Sequence, residues 1–429
     1  MSALAGAETA QSVVAAERRR LRLRVTGLWL AFAAVQLALV LLARYAPGWA
    51  LGDVDRAYAD WARAVIAGRA IPGLQTDFVY PVLALVPMLV SALGGLRDGF
   101  AVAWLIQVVV VNALAFAILV GRGRSRPRLI AAAFLLAGWL LLGPVSVGRI
   151  DAITVALAVV SVLLLRAHPA VASWLAALGA WTKIWPAAIL AVQAFVARRW
   201  RAAVLAPVLI AVLVIAAATV AGSPLSPLSF LSEQSGRGMQ VESVASTPLL
   251  IGAAAGVRGM RVYYDQSILT YEVSAGAGAA GYGTVLTVLQ LLAVLAILGL
   301  SAWCVARGVS WLRIVPVSLL ALVLALIVFN KVGSPQFESW LLAPVVLWLV
   351  VARRTARVPA IAVLGIELLT QAIYPYYYPA LLDLNPVMLG IITVRNAALV
   401  ALLIWCLVRI GMLWKSRGIP ALGSREAVT

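Results

Sequence analysis

Histidine and cysteine are almost missing from this chain, with one His and two Cys in 429 residues. Cys304 and Cys406 both fall inside apolar runs, where a thiol packs as a small inert hydrophobe. Neither a disulfide framework nor a cysteine-ligated metal site is expected. The lone His168 stands in a basic turn before Pro169 and reads as a solvated loop residue. Charge is scarce as well: 12% of residues are charged against 64% hydrophobic, and the mean hydropathy is +1.01. That excludes an ordinary soluble domain. Acidic groups are the scarcest charges, 16 Asp and Glu against 34 Lys and Arg, for a formal charge of +18. The basic residues form no continuous stripe, so nucleic acid is not the expected partner. They sit in short clusters between apolar runs, the pattern of cytoplasmic turns in a membrane protein.

What the chain has in abundance is apolar sequence. Val25 to Ala43 follows Arg18-Arg19-Arg20-Leu21-Arg22-Leu23-Arg24 and reads as an uncleaved spanning helix entered from the cytoplasm. Basic turns recur at 122–128, Arg166, 198–201, 307–313, 353–357 and from Arg409 onward. If these face the cytoplasm, the intervening polar loops face outward, and they hold Asp53, Asp55, Asp60, Asp77, Asp151, Glu233, Glu242, Asp265, Glu272, Glu338 and Asp383. The expectation is an all-α integral protein of the plasma membrane with about 10–13 membrane helices. It divides into a basic cytoplasmic tail (1–24), one polytopic domain (25–410) and a second cytoplasmic tail (411–429). Extracytoplasmic loops are expected at 44–79 and 222–283.

Parity of crossings predicts that the helix after Tyr80 inserts only partway and that the chain makes a hairpin at Trp181-Thr-Lys183-Ile-Trp-Pro186. The loop at 222–283 is too long for a plain connection and so reads as functional. Its closing Gly276 to Gly283 run lacks the Lys-Ser/Thr of a phosphate loop and reads as a hinge. No internal repeat is visible.

Several polar groups stand where apolar sequence should exclude them. Asp53 and Asp55 precede a helix whose apolar face is Tyr58, Trp61, Ala62, Val65 and Ile66, spaced to lie in the membrane interface. Either aspartate could cap that helix, or serve as a base at the membrane surface. Gly148-Arg149-Ile150-Asp151 reads equally as a capped turn or as a site. Lys183 lies between two tryptophans in apolar sequence, a costly place for an unpaired ammonium. The segment from Asn330 to Glu338 packs Lys331, Ser334, Gln336 and Glu338 between two spans. Arg395 is a weaker candidate because it can snorkel, and Tyr374 to Pro379 reads as an aromatic belt. A carboxylate near embedded cations suits transfer of a sugar from a lipid phosphate. The phosphate leaves once cations offset its charge, so one carboxylate suffices as general base for the acceptor hydroxyl.

The chain resembles the GT-C membrane glycosyltransferases, in particular the family 87 polyprenyl-phosphate-mannose-dependent mannosyltransferases of actinobacteria. The resemblance runs from about Val25 to Ile410. It is carried by Gly52-Asp-Val with Tyr58 and Trp61-Ala, Phe78-Val-Tyr-Pro81, Gly148-Arg-Ile-Asp151 and Ala180-Trp-Thr-Lys183-Ile-Trp-Pro186. Gln240-Val-Glu242-Ser, Lys331-Val-Gly-Ser-Pro-Gln336 and Thr370-Gln-Ala-Ile-Tyr-Pro375 complete it. It departs from the family pattern at Pro81-Val82, where Pro-Pro is usual, in a Tyr58 one residue further from Asp53, and in lacking a histidine motif.

The resemblance implies a GT-C helical bundle whose first extracytoplasmic loop supplies the base, Asp53 ahead of Asp55. Lys183, Lys331 and Arg149 are expected at the donor phosphate, and Tyr80, Asp151, Arg237, Gln240, Glu242, Gln336 and Glu338 around the substrates. The expected partners are a polyprenyl-phosphate-linked sugar, a lipid-anchored glycan acceptor and membrane lipids, with no metal and no cofactor. The alternatives are a transporter or lipid flippase, disfavoured by the lack of paired halves, and a related enzyme using another polyprenyl-phosphate sugar such as arabinofuranose.

Overall fold

Long apolar runs cross a bilayer as helices because the backbone must then satisfy its own hydrogen bonds. The computed structural model describes residues 2–235, 237–266, 268–276 and 281–415. Among them nine helices are long and apolar enough to cross a membrane. Residues 277–280 of the expected hinge and 416–429 of the expected C-terminal tail lie outside the described residues.

Helix α1 (Ser2–Tyr45) carries the first span. The basic segment before Val25 is therefore the start of this helix and not a separate tail. The first loop holds a π turn (Val54–Tyr58) that runs into α2 (Ala59–Ile66). A short 3-10 turn then leads to α3 (Leu85–Ala92), too short to cross. It lies antiparallel to the start of α4 (Asp98–Val120), with the Gln107 amide donating to the Pro87 carbonyl at 3.2 Å. Because α3 turns back, the chain crosses once through α1 and returns through α4. This places the basic turn 122–128 beside the basic start of α1. Contact there is so close that a Cβ on Gly123, at φ +72°, would fall 2.2 Å from Val25 Cγ2. Arg128 closes the turn by donating from Nε to the Leu119 carbonyl at 2.9 Å.

The chain returns through α5 (Arg126–Leu142) and then makes three shorter passes: α6 (Asp151–Leu164), α7 (Pro169–Thr182) and α8 (Ala187–Ala191), the last extended by a π turn to Val196. The hairpin expected at Lys183 is present. Gln193 bonds to Ser173 Oγ at 2.9 Å and to the Pro169 carbonyl at 2.8 Å, so the segment after Lys183 runs back along α7. The irregular backbone at Lys183 lies against protein, as is required of non-helical chain within a membrane bundle.

Helix α9 (Trp200–Val220) leads into the long loop, which is a folded cap and not an open connection. It contains α10 (Ser229–Ser235), α11 (Thr247–Ala254) and an antiparallel hairpin of β1 (Met260–Asp265) and β2 (Thr270–Ala275), with Tyr263 opposite Glu272 and Tyr264 opposite Tyr271. Then come α12 (Tyr282–Ala306), α13 (Trp311–Val328), α14 (Leu342–Ala352, entered through a 3-10 segment from Pro335), α15 (Arg357–Gln371), α16 (Tyr378–Leu382) and α17 (Pro386–Lys415). Helix α13 and the 3-10 entry to α14 are buried almost throughout, so they form the bundle's centre. The apolar face of α2 turns inward: Tyr58 and Ala62 are buried, and Trp61 meets Phe78 edge-on at 5.0 Å. Only Ile66, at the end of that face, is exposed as an interfacial residue would be.

Candidate active site

Asp53 caps nothing. Its own backbone is helical (φ −68°, ψ −36°), and its side chain makes no cap hydrogen bond. The carboxylate instead pairs with Arg149, Oδ2 to Nε at 3.2 Å. The guanidinium is otherwise occupied by the protein. Nη1 donates to the carbonyls of Ala50 and Gly148, and Nη2 donates to the Tyr374 hydroxyl at 2.9 Å. A Cβ on Gly148 would come within 2.7 Å of the Ala50 carbonyl oxygen, so glycine lets this turn lie against the first loop. Arg149, expected at the donor phosphate, is thus directed at Asp53, Ala50, Gly148 and Tyr374.

Asp55 faces elsewhere. It is exposed and accepts from Trp49 Nε1 at 2.9 Å, while Arg56 sits over the Trp49 ring at 4.5 Å. The two aspartates therefore do not face one another as a metal pair would. Among the described residues no group of three or more His, Cys, Asp and Glu side chains comes together for a metal. The π turn explains how Tyr58, five residues after Asp53, serves the same site. A π turn closes i to i+5 where an α turn closes i to i+4. The Tyr58 hydroxyl accepts the Ile150 N–H at 3.1 Å, and its ring meets Tyr80 edge-on at 6.4 Å. Burial pushes both hydroxyls above the ordinary tyrosine range, so both remain phenols able to donate.

A second pair lies next to the first. The chain breaks at Lys183, whose backbone is extended (φ −154°, ψ 131°), and its ammonium meets Asp151 Oδ2 at 2.9 Å. The same ammonium stands 5.3 Å from the Tyr80 ring, 5.1 Å from Phe337 and 5.9 Å from Trp340, so three aromatic faces surround it. Trp340 Nε1 donates to the other Asp151 oxygen at 2.6 Å, and Trp185 stacks on Trp340 with centroids 5.5 Å apart. Asp151, expected around the substrates, meets Lys183 with one oxygen and Trp340 with the other.

A third cluster anchors the cap. Arg395 is fully buried and does not snorkel. Its Nη1 pairs with Glu338 at 3.1 Å and Glu242 at 3.4 Å, and Nη2 donates to the Glu242 carbonyl at 2.6 Å. Asn396 beside it holds Ser243 and Thr247. Burial pushes the Glu242 carboxyl up to about 7 against the pull of Arg395, with the neighbouring Glu338 adding to the rise. Glu338 thus pairs with Arg395.

The remaining expected residues spread outward. The Gln240 N–H donates to the Lys331 carbonyl at 3.0 Å, and Gln240 bridges to Glu272. Glu272 accepts from the Gly238 N–H at 2.9 Å and from the Tyr263 hydroxyl at 2.8 Å, which pushes that phenol up to about 12. Lys331 packs its side chain against Gly283, and burial lowers its basicity while Glu272 opposes that. Lys331 therefore belongs to the hairpin's polar seam, apart from the Lys183 cage. Arg237 is half-buried beside that seam. Gln336 is buried and accepts from Ser334 Oγ at 2.7 Å. Tyr374, Trp340 and Arg395 are the site residues that sequence reasoning passed over or underrated. The first carried the signature of an aromatic belt, and the last that of a snorkelling cation.

Residues 78–328, more than half of the chain, match the model of Glycosyltransferase family 87. No curated protein and no solved structure matches the chain. The matched stretch carries Tyr80, Arg149, Asp151, Lys183 and Glu242. Asp53 lies before it and is joined to it through Arg149.

Proposed function

The chain belongs to glycosyltransferase family 87, and on that premise we propose that it moves a mannosyl residue from polyprenyl-phosphate-mannose to a lipid-anchored glycan, with Asp53 as general base. The observation that carries this reading is the adjacency of two differently built pairs. Asp53 is oriented by Arg149 yet keeps 41% of its side chain exposed, while Lys183 stands in an aromatic cage. Asp53 takes the proton of an acceptor hydroxyl as that oxygen bonds to the anomeric carbon. The bond from that carbon to the phosphate oxygen breaks, and its electron pair leaves on the phosphate. The Lys183 ammonium, aided by the phenolic donors Tyr58 and Tyr80, offsets the charge that develops there. No general acid is required because the leaving group is a phosphate. Asp55 is the less suited base, since its carboxylate is turned to Trp49 at the surface.

Incubating the purified protein in nanodiscs with radiolabelled polyprenyl-phosphate-mannose and glycolipid acceptors tests the reading directly. Absence of labelled product with every acceptor, despite bound donor, refutes it. Removing the Lys183 charge should weaken donor binding roughly 10- to 100-fold, as expected for loss of a charge-assisted bond. The Lys183→Met/Asp151→Asn pair is the better variant, because Lys183→Met alone leaves a buried carboxylate unpaired and endangers the fold. Unchanged donor affinity in the pair would return Lys183 to a structural role.

The site end of the bundle is proposed to face outside the cytoplasm, since the basic turns gather at the opposite end. Leu269, at the hairpin tip, is 70% exposed, and both native cysteines are buried. Leu269→Cys should therefore react with an impermeant thiol reagent in intact cells. Labelling only after lysis would reverse the orientation.

A further inference from the structure

Four tyrosines form a continuous file from the solvent to Arg149. The Tyr374 hydroxyl accepts from Arg149, whose guanidinium lies 5.6 Å from the Tyr374 ring centre. Tyr378 meets Tyr374 at a centroid distance of 5.3 Å, Tyr271 meets Tyr378 at 6.0 Å, and Tyr264 meets Tyr271 at 4.9 Å. The four come from three separate places in the chain: the turn after α15 with the start of α16, strand β2 and strand β1. The first three are only partly buried, and Tyr264 at the outer end is 45% exposed.

We propose that this file is the seat of the acceptor's sugar chain, and that the acceptor is an oligosaccharide whose rings lie along it with the terminal hydroxyl at Asp53. The inference rests on the glycosyltransferase reading above and adds to it where the acceptor's sugar rings lie. A pyranose presents an apolar C–H face and a rim of hydroxyls. A tyrosine presents a matching π face and a polar edge at small entropic cost. The Tyr374–Tyr378 and Tyr378–Tyr271 contacts are edge-to-face, at 81° and 73°, so in each pair only one ring has a face turned to its neighbour, where stacking would cover a face of both. A cluster built only to fasten the hairpin to the bundle would be served by leucine or phenylalanine. It would need neither four hydroxyls nor an exposed outer end. The inner end settles the direction, because Tyr374 shares Arg149 with the Asp53 carboxylate.

The test uses the full chain in nanodiscs, with linear α-linked mannotetraose and methyl α-mannoside as probes, followed by saturation-transfer NMR on the sugar C–H protons. Tyr264→Ser should weaken mannotetraose about tenfold, the scale of one lost aromatic contact, while methyl α-mannoside binds as before. Tyr264→Phe, which keeps the ring and loses only the hydroxyl, should weaken mannotetraose less than Tyr264→Ser does and leave methyl α-mannoside unchanged, and Leu269→Ser, at the hairpin tip but off the file, should leave both unchanged. Equal weakening of both probes, no effect of Tyr264→Ser, or failure of the unaltered protein to bind mannotetraose would each overturn the proposal. None of these readouts needs donor or turnover. If the tyrosine dependence is seen while labelled polyprenyl-phosphate-mannose yields no product, the transfer reading falls and the glycan seat stands.

Discussion

Asp53→Asn should lose roughly 10²- to 10⁴-fold in transfer rate, the usual scale for removing a general base. Donor binding should remain. The amide keeps the shape of the carboxylate and can still accept from Arg149, but it cannot take the acceptor's proton. Asp55→Asn should retain near-normal turnover, because that side chain bonds to Trp49 at the surface. Arg149→Met should also be severely impaired, because the guanidinium fixes Asp53, Ala50, Gly148 and Tyr374 together. Its donor affinity should move far less than that of the Lys183 variant, since four of its five N–H groups are directed at Asp53, Ala50, Gly148 and Tyr374. The measurement is release of polyprenyl phosphate in single turnover, alongside donor binding at equilibrium. An active Asp53→Asn enzyme beside an inactive Asp55→Asn enzyme would transfer the base role to Asp55. Activity in both would end the single-base mechanism.

Arg395→Met should destabilise the protein by about 3–5 kcal/mol, the usual cost of leaving a buried charge without its partner. The buried guanidinium sits between Glu242 and Glu338 and ties the cap to α17. The loss should depend on pH in a definite sense. Folded Glu242 holds its proton up to about 7, against an ordinary value of 4.5. For a carboxyl raised on folding, the stabilising contribution is complete below the unfolded value and fades as pH rises through the folded one. Without Arg395 to stabilise the ionised form, that fading steepens. Arg395→Met should therefore be closer to wild type at pH 5 than at pH 8 in thermal unfolding. Adding Glu242→Gln to Arg395→Met should recover part of the loss. An equal loss at both pH values, or no recovery in the double variant, would show that the cluster is not acting through its charges.

Much of the fold was legible in the sequence for a plain reason. In a bilayer the backbone has one economical solution, so length and hydropathy reveal the helices, and the spacing of basic turns reveals how they alternate. Even the hairpin at Lys183 and the incomplete pass after Tyr80 followed from parity. The folded cap was not legible. Its short helices and its β hairpin are polar, half-buried segments whose packing partners lie elsewhere in the chain, such as Arg395 with Glu242 and Lys331 with Gln240.

The same division holds at the site. Sequence alone marked Asp53, Arg149, Asp151, Lys183 and Glu338, because each polar group in apolar surroundings needs a reason. It could not say how they pair. Asp53 and Asp55 are chemically alike two residues apart, and a π turn with Arg149 on one side and Trp49 on the other gives them different partners. Lys183 and Lys331 looked equivalent, yet one is caged by Tyr80, Phe337 and Trp340 and the other joins the seam of Glu272. Composition and hydropathy determined that this chain is a helical membrane protein with charged groups inside it. Which charge faces which was decided by tertiary packing, because an ion pair depends on distances between helices that are remote in sequence.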